Sequence, residues 1–262
     1  MEYQHIILER NRNAAVIWLN NPDKRNPLGN PVKLELMNAL SACERDNAVR
    51  AVVLRGKRQV FSGGGDMAAM RERLERNEFS TQTSCELGGR LNRQLLHLKK
   101  PTIAVVEGTA AGSGLCLALS CDVQIVAEDA KMVFAFVNIG YIPDSGAALL
   151  VSRAVGAAQA KQLLMSGRRF TGRQAADWGL MTQAAPQAEI DQVLEDYLNL
   201  YANGPTLAYG CTKEILNSLL YQQFDRLTEM EICLQSRCEH SRDHREAVYA
   251  FFDKRTPEFH GN

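Results

Sequence analysis

The chain has 262 residues, 45% of them hydrophobic, which is enough for one large domain, or a domain with a helical appendage, around a sizeable core. Its 30 Lys and Arg balance its 30 Asp and Glu, and this zero formal net charge argues against a general binder of nucleic acid or of membrane surfaces. Seven cysteines, odd in number and without a C-x-x-C pair, fit a reducing cytoplasm better than a disulfide framework or a zinc site, and no stretch approaches a spanning helix.

In chain order, Tyr3 to Glu9 and Ala14 to Asn20 predict a strand pair around the polar turn Arg10 to Asn13. Met1 to Asn13 has no long apolar run, so no signal peptide is expected. Asn21 to Asn30, NPDKRNPLGN, has the composition of a loop, and its Lys24 and Arg25 suit either a solvated surface or a hold on a phosphate. Asn30 fits an N-cap and Pro31 the first position of a helix whose Val32, Leu36, Met37 and Leu40 lie near one face. Arg50 to Arg55 predicts the next strand, followed by Gly56 and the turn FSGGGD, Phe61 to Asp66. Met67 to Phe79 reads as an exposed, mobile helix or loop. Ser84 to Leu98 reads as a helix with Leu87, Leu91, Leu95 and Leu98 at helical spacing, stopped by Pro101.

Thr102 to Asp122, TIAVVEGTAAGSGLCLALSCD, predicts a buried strand, a turn through Gly108 and Gly112-Ser113-Gly114, and a buried helix. Two glycines at a tight strand-to-helix connection are explained by packing alone. The three consecutive glycines of FSGGGD are costly in chain entropy wherever they are ordered, which points to a further demand, close approach of backbone to a ligand. N–H groups that open a helix have no partner within it and can serve an anion.

Val123 to Ala127 and Lys131 to Val137 predict two more strands. Asp144, just after Pro143, suits the N-cap of an apolar helix from Ala147 to Val155. A short helix capped by Thr171 and closed by Gly179 follows, and from Glu189 onward apolar periodicity predicts helices alone, with stripes such as Leu207, Cys211, Ile215 and Leu219 or Leu227, Met230 and Leu234. A last helix, roughly Arg242 to Lys254, carries Phe251 and Phe252, suited to a subunit contact or to ordinary burial. Strands alternate with helices through about Val137 and helices alone are expected beyond it, which gives a mixed α/β core over 1–200 and a helical region over 201–262, packed on that core or on another subunit.

PDKRNPL, FSGGGD, PTIAVVEGTAAGSGLCLALSCD, AKMVFAFVNIGYIPDSG, SGRRFTGRQAADWGL and AFFDKRTPEF, in that order, resemble the enoyl-CoA hydratase/isomerase (crotonase) family across nearly the whole chain, and most closely its branch of 2-(1,2-epoxy-1,2-dihydrophenyl)acetyl-CoA isomerases. The resemblance implies an α/β spiral of repeated ββα units with a C-terminal helical trimerisation region, and a homotrimer or dimer of trimers. It implies an acyl-CoA thioester as substrate, with coenzyme A as part of that substrate and no separate cofactor or metal. The thioester oxygen would receive the backbone N–H groups of Gly65 and Ser113. Lys24, Arg25, Ser62, Gly63, Gly64, Asp66 and Met67 would border the bound CoA ester, and Lys254 would reach a CoA phosphate.

Two departures bear on the chemistry. Where hydratases of the family carry two glutamates that position and activate water, this chain has Cys116 and Phe136; a thiol is a poor carboxylate substitute and a phenyl ring transfers no proton. On its own, Cys116 suits a small buried hydrophobe. Asp144 falls where isomerase branches carry a single acidic base, so the resemblance implies an acyl-CoA isomerase working through an enolate, with Asp144 expected in an apolar surround of Phe136 and Ile142. The alternatives are other crotonase chemistry, including an aspartate nucleophile with His97 as a loosely placed base, or a non-catalytic CoA-binding or assembly protein.

Overall fold

The computed structural model describes residues 3–262. Strands β1 (Ile6–Asn11) and β2 (Ala14–Leu19) form an antiparallel hairpin, and β2 then pairs in parallel with β3 (Ala51–Gly56). The sheet continues in parallel through β4 (Thr102–Val106), β6 (Val123–Ala127) and β9 (Gln183–Ala185). Every residue of β4 and β6 is buried, as expected of parallel strands covered on both faces, and this explains their unbroken apolar runs. A smaller sheet joins β5 (Thr109–Ala111), β7 (Lys131–Val133) and β8 (Arg169–Thr171).

The ββα unit recurs. β1, β2 and helix α1 (Asn30–Arg45) form the first unit; β4, β5 and α4 (Ser113–Leu119) form another; β6 and β7 lead into α5 (Ala147–Ser166). In the later units the first strand joins the large sheet and the second joins the small one. The segment after β3 follows the same course, since Ser62 makes a parallel bridge with Ala110 of β5 before α2 (Met67–Arg76) and α3 (Thr81–His97) begin.

Several expectations are corrected. The chain is not helical throughout after Val137: β8 and β9 are three-residue strands, too short to show period-2 alternation, formed because they complete sheets whose other strands lie far away in sequence. The strand from Lys131 ends at Val133, and Val137–Ile139 is a 3-10 turn. The N-cap of α1 is Gly29, with Asn30 already helical. Met67–Arg76 is a formed helix whose cap is the Asp66 carboxylate, 3.0 Å from Ala69 N. The expected helix from Ala147 runs on past Val155 to Ser166, with a break at Gly156, φ 77°.

Helices α6 (Gly172–Asp177), α7 (Ile190–Asn203), α8 (Thr206–Leu220), α9 (Phe224–Glu239) and α10 (Arg242–Asp253) complete the chain. α6 starts on the predicted Thr171 cap, reciprocated by Gln174 in a capping box. The predicted stripes of α8 and α9 face away from the core of this chain: Leu207, Ile215, Leu219 and Met230 are exposed, whereas Lys213, Asn217, Glu231, Gln235 and Glu239 are buried. Each buried polar group has a partner, for example Lys213 Nζ on Asp122 Oδ2 at 2.8 Å, so the inward faces of these helices are polar and satisfied.

Candidate functional site

The two glycine turns are packed directly on each other. Ser62 N donates to Thr109 O (3.0 Å) and Ala111 N to Ser62 O (2.9 Å), which zips the FSGGGD segment onto β5. Gly64 has φ +85°, and a Cβ there would lie 2.5 Å from the Ala111 carbonyl oxygen; a Cβ on Gly114 would lie 2.6 Å from the Ser62 side chain. Only glycine permits this approach. Gly65, the residue after Gly64, and Ser113, the residue before Gly114, therefore present their N–H groups from adjoining backbone. Among the described residues neither N–H has a protein acceptor, and that of Ser113 opens α4. Two such donors can serve one oxygen atom.

Asn26, not singled out from the sequence, fixes the turn. It is buried, donates from Nδ2 to Val60 O (2.6 Å) and accepts from Asn21 N on Oδ1 (2.6 Å). Ser62 Oγ donates to Asn26 O (2.7 Å) and accepts from Gly64 N (3.1 Å), so the Ser62 side chain is wholly enclosed in the turn. Gly63 N donates to Arg25 O (2.6 Å), which places the Lys24-Arg25 loop against the glycine turn with both side chains exposed. Met67 opens α2, and the Met70 methyl lies 2.6 Å from where a Cβ on Gly65 would be. Lys254 is exposed at the C-cap of α10, a helix that packs on α2.

The Asp144 backbone lies against α4: Cys116 Sγ, one helical turn beyond Ser113, is 3.8 Å from the Asp144 carbonyl oxygen. Phe136 is buried with its ring against Gly112. The N-cap role expected of Asp144 is overturned. The cap of α5 is Gly146, and the Asp144 carboxylate is free of it. The expected apolar surround is also overturned. Asp144 Oδ2 accepts from Gln235 Nε2 (3.2 Å) and Cys85 Sγ (3.5 Å), and Oδ1 accepts from Ser145 Oγ (3.0 Å). Burial, then the Asp144 charge, push the Cys85 thiol up, which keeps it a protonated donor to that carboxylate. Ser145 is a non-glycine residue at φ 59°, held there by Asn92 Nδ2 on its carbonyl (2.8 Å). His97 ends α3 on the surface, among Arg93, Asp225, Lys213 and Glu214, and does not meet Asp144.

Glu231 carries no signal in the local sequence. It reaches from α9 to Gly146 N, at 3.0 and 3.2 Å from its two carboxylate oxygens, and so supplies the acceptor at the start of α5 that Asp144 does not. Desolvation, then the charge of Asp144, push the Glu231 carboxyl up to about 8. A raised folded-state pKa stabilises the fold fully below the unfolded carboxylate value near 4.3, and that contribution is lost as pH rises through about 8. The urea midpoint of the wild type is therefore expected to fall between about pH 5 and pH 8.5, and by less in Glu231→Gln, whose amide oxygen still accepts from Gly146 N. Parallel pH curves for the two proteins would refute this.

A sequence model of the enoyl-CoA hydratase/isomerase family matches residues 9–262. The 1,2-epoxyphenylacetyl-CoA isomerase of Escherichia coli is 32% identical over 98% of this chain and 99% of its own. A trans-2-decenoyl-[acyl-carrier-protein] isomerase of Streptococcus mutans is 25% identical over the whole of both chains. The solved structure of an enoyl-CoA hydratase from Mycobacterium avium subsp. paratuberculosis superposes with a TM-score of 0.88 at 30% identity, covering 99% of this chain and 100% of the other.

Proposed function

The chain belongs to the enoyl-CoA hydratase/isomerase family, and from that premise we propose that it is an acyl-CoA isomerase that moves a double bond, or rearranges an unsaturated acyl group, through an enolate. The observation that carries this reading is the Asp144 carboxylate, free of the helix cap, on a residue whose backbone carbonyl lies 3.8 Å from Cys116 Sγ, one α4 turn beyond Ser113 and its N–H without an acceptor. The thioester oxygen accepts from Gly65 N and Ser113 N. Asp144 removes a proton from the acyl chain, and the electron pair moves onto that oxygen as the enolate forms. The same carboxyl returns the proton at another carbon. Each donor contributes on the order of 3 kcal/mol to the charge-separated state, because it is fixed in place before the charge develops.

Hydration needs two groups to hold and deprotonate water, and the buried Cys116 thiol and the Phe136 ring supply neither; burial and the Asp144 charge also push that thiol up, away from the thiolate. Two of the relatives are named as isomerases, which is consistent with this reading, while the solved structure is named as a hydratase, so the missing pair of glutamates carries the distinction. Coenzyme A belongs to the substrate and no separate cofactor takes part. Lys24, Arg25 and Lys254 are the exposed cations assigned to the CoA phosphates. The test is exchange of acyl protons for deuterium, with double-bond migration, on a series of 3-enoyl-CoA thioesters in deuterated water. A protein that binds these esters and exchanges nothing is not this isomerase.

The proposal includes a homotrimer or dimer of trimers. Leu207 is 82% exposed and Leu219 64%, an apolar face on α8 that a lone chain would leave in water. Sedimentation equilibrium at micromolar concentration is expected to return three or six chains per particle, and a monomer would overturn this part of the reading.

A further inference from the structure

Helix α9 turns three buried polar side chains toward the body of the protein at a spacing of four residues: Glu231, Gln235 and Glu239. Glu239 accepts from Ser80 N and Thr81 N, 3.2 and 3.3 Å away, at the start of α3. The other two hold the loop that carries Asp144. Gln235, completely buried, accepts from Ile142 N on Oε1 (2.9 Å), and its Nε2 donates to Ile142 O (3.4 Å) and to Asp144 Oδ2 (3.2 Å). Glu231 takes Gly146 N four residues further along the loop. Ile142 N–H can only donate, so it fixes which end of the Gln235 amide faces it and leaves the NH2 group aimed at the carboxylate.

We propose that Gln235 is a positioning residue that aims the Asp144 carboxylate for proton transfer, with Glu231 fastening the far end of the same loop, so that catalysis requires α9 to be docked. The proposal rests on the reading of Asp144 as the acid/base. Burying a polar amide without partners costs free energy, and here its hydrogen bonds go to the one loop whose placement proton transfer depends on. A neutral donor holds the carboxylate in one rotamer without pairing it with a full positive charge, which would weaken it as a base. Sub-ångström placement matters at such a site, because misplacement by about 1 Å can cost on the order of 100-fold in rate.

Two variants test this, each assayed beside the wild type and Asp144→Asn by deuterium exchange on 3-enoyl-CoA thioesters, with the affinity for a saturated acyl-CoA and the Tm recorded. Gln235→Leu keeps the volume and loses the hydrogen bonds; its kcat is expected to fall by on the order of 100-fold with acyl-CoA affinity unchanged. In Gln235→Glu the introduced carboxyl can accept from Ile142 N and, when protonated, donate to Asp144. The groups around it are the Asp144 carboxylate, the Glu231 carboxyl, itself pushed up to about 8, Glu239 one turn further along α9, Lys33 as a positive charge, and the thiols Cys85, Cys116 and Cys238. Its burial beside Asp144 raises its pKa. The ratio of its rate to the wild-type rate is therefore expected to stand near one at acidic pH and to fall as pH rises and the two carboxylates repel.

A wild-type kcat in Gln235→Leu, a pH-independent rate ratio in Gln235→Glu, or a parallel loss of acyl-CoA affinity and rate in both overturns the positioning role. If the wild type exchanges no proton, or Asp144→Asn exchanges as well as the wild type, the reading of the function fails first and takes this inference with it.

Discussion

Asp144→Asn is expected to lower acyl-proton exchange and double-bond migration by on the order of 10³-fold while acyl-CoA binding stays close to wild type. The substitution is nearly isosteric, and the surrounding bonds survive it. The new amide oxygen can take the Gln235 and Cys85 donors that now meet Oδ2, and the amide NH2 can donate to Ser145 Oγ, whose hydroxyl rotates to accept. What is lost is the only property an amide lacks, the capacity to take a proton near neutral pH. Cys116→Ser is the matched control. Its sulfur is buried and 3.8 Å from the Asp144 backbone oxygen, away from the carboxylate, so removing the thiol is expected to change the rate far less. Full exchange by Asp144→Asn, or its complete loss in Cys116→Ser, would show that the proton moves by another route.

Gly64→Ala is expected to cost between about 10² and 10³ in kcat, the loss associated with one oxyanion donor. A methyl group at this position faces two obstacles at once. The backbone is at φ +85°, in the region that side chains disfavour, and the Cβ would lie 2.5 Å from Ala111 O. The turn can relieve that contact only by moving off β5, and the N–H that moves with it is that of the next residue, Gly65. Ser113→Ala separates donor loss from general damage, because it retains its backbone N–H and is expected to keep wild-type activity. Rates and Tm of both variants decide the matter: a Gly64→Ala protein with normal turnover, or a Ser113→Ala protein as impaired as it, would leave the two N–H groups without the assigned role.

The apolar runs at β3, β4 and β6 and the leucine spacing of α3 were legible because strands and helices buried in one core obey their own short periods. Both glycine turns were legible for a related reason, since three adjacent glycines and a G-S-G turn are demands of the backbone itself. The short strands β8 and β9 were not, as their strand state is imposed by partners such as Lys131 to Val133 and Ile125 to Ala127. The stripes of α8 and α9 were legible in period but not in direction. Periodicity marks an apolar face, but which face turns inward depends on what the helix meets, and these helices meet Asp122, the Asp144 loop and the first turn of α3.

The site divides along the same line. The sequence by itself determined the glycine turns, the absence of the two glutamates at Cys116 and Phe136, and the presence of a carboxylate at Asp144, because each is a matter of which residue stands within a local motif. Tertiary structure decided what that carboxylate does. It gave the start of α5 to Gly146 and the Glu231 carboxylate, leaving Asp144 free, and surrounded it with Cys85 of α3, Ser145 and Gln235 of α9. Cys85 and Gln235 lie 59 and 91 residues from Asp144 along the chain. No local period or composition records contacts at that separation; they exist only once the spiral has closed and its last helices have docked.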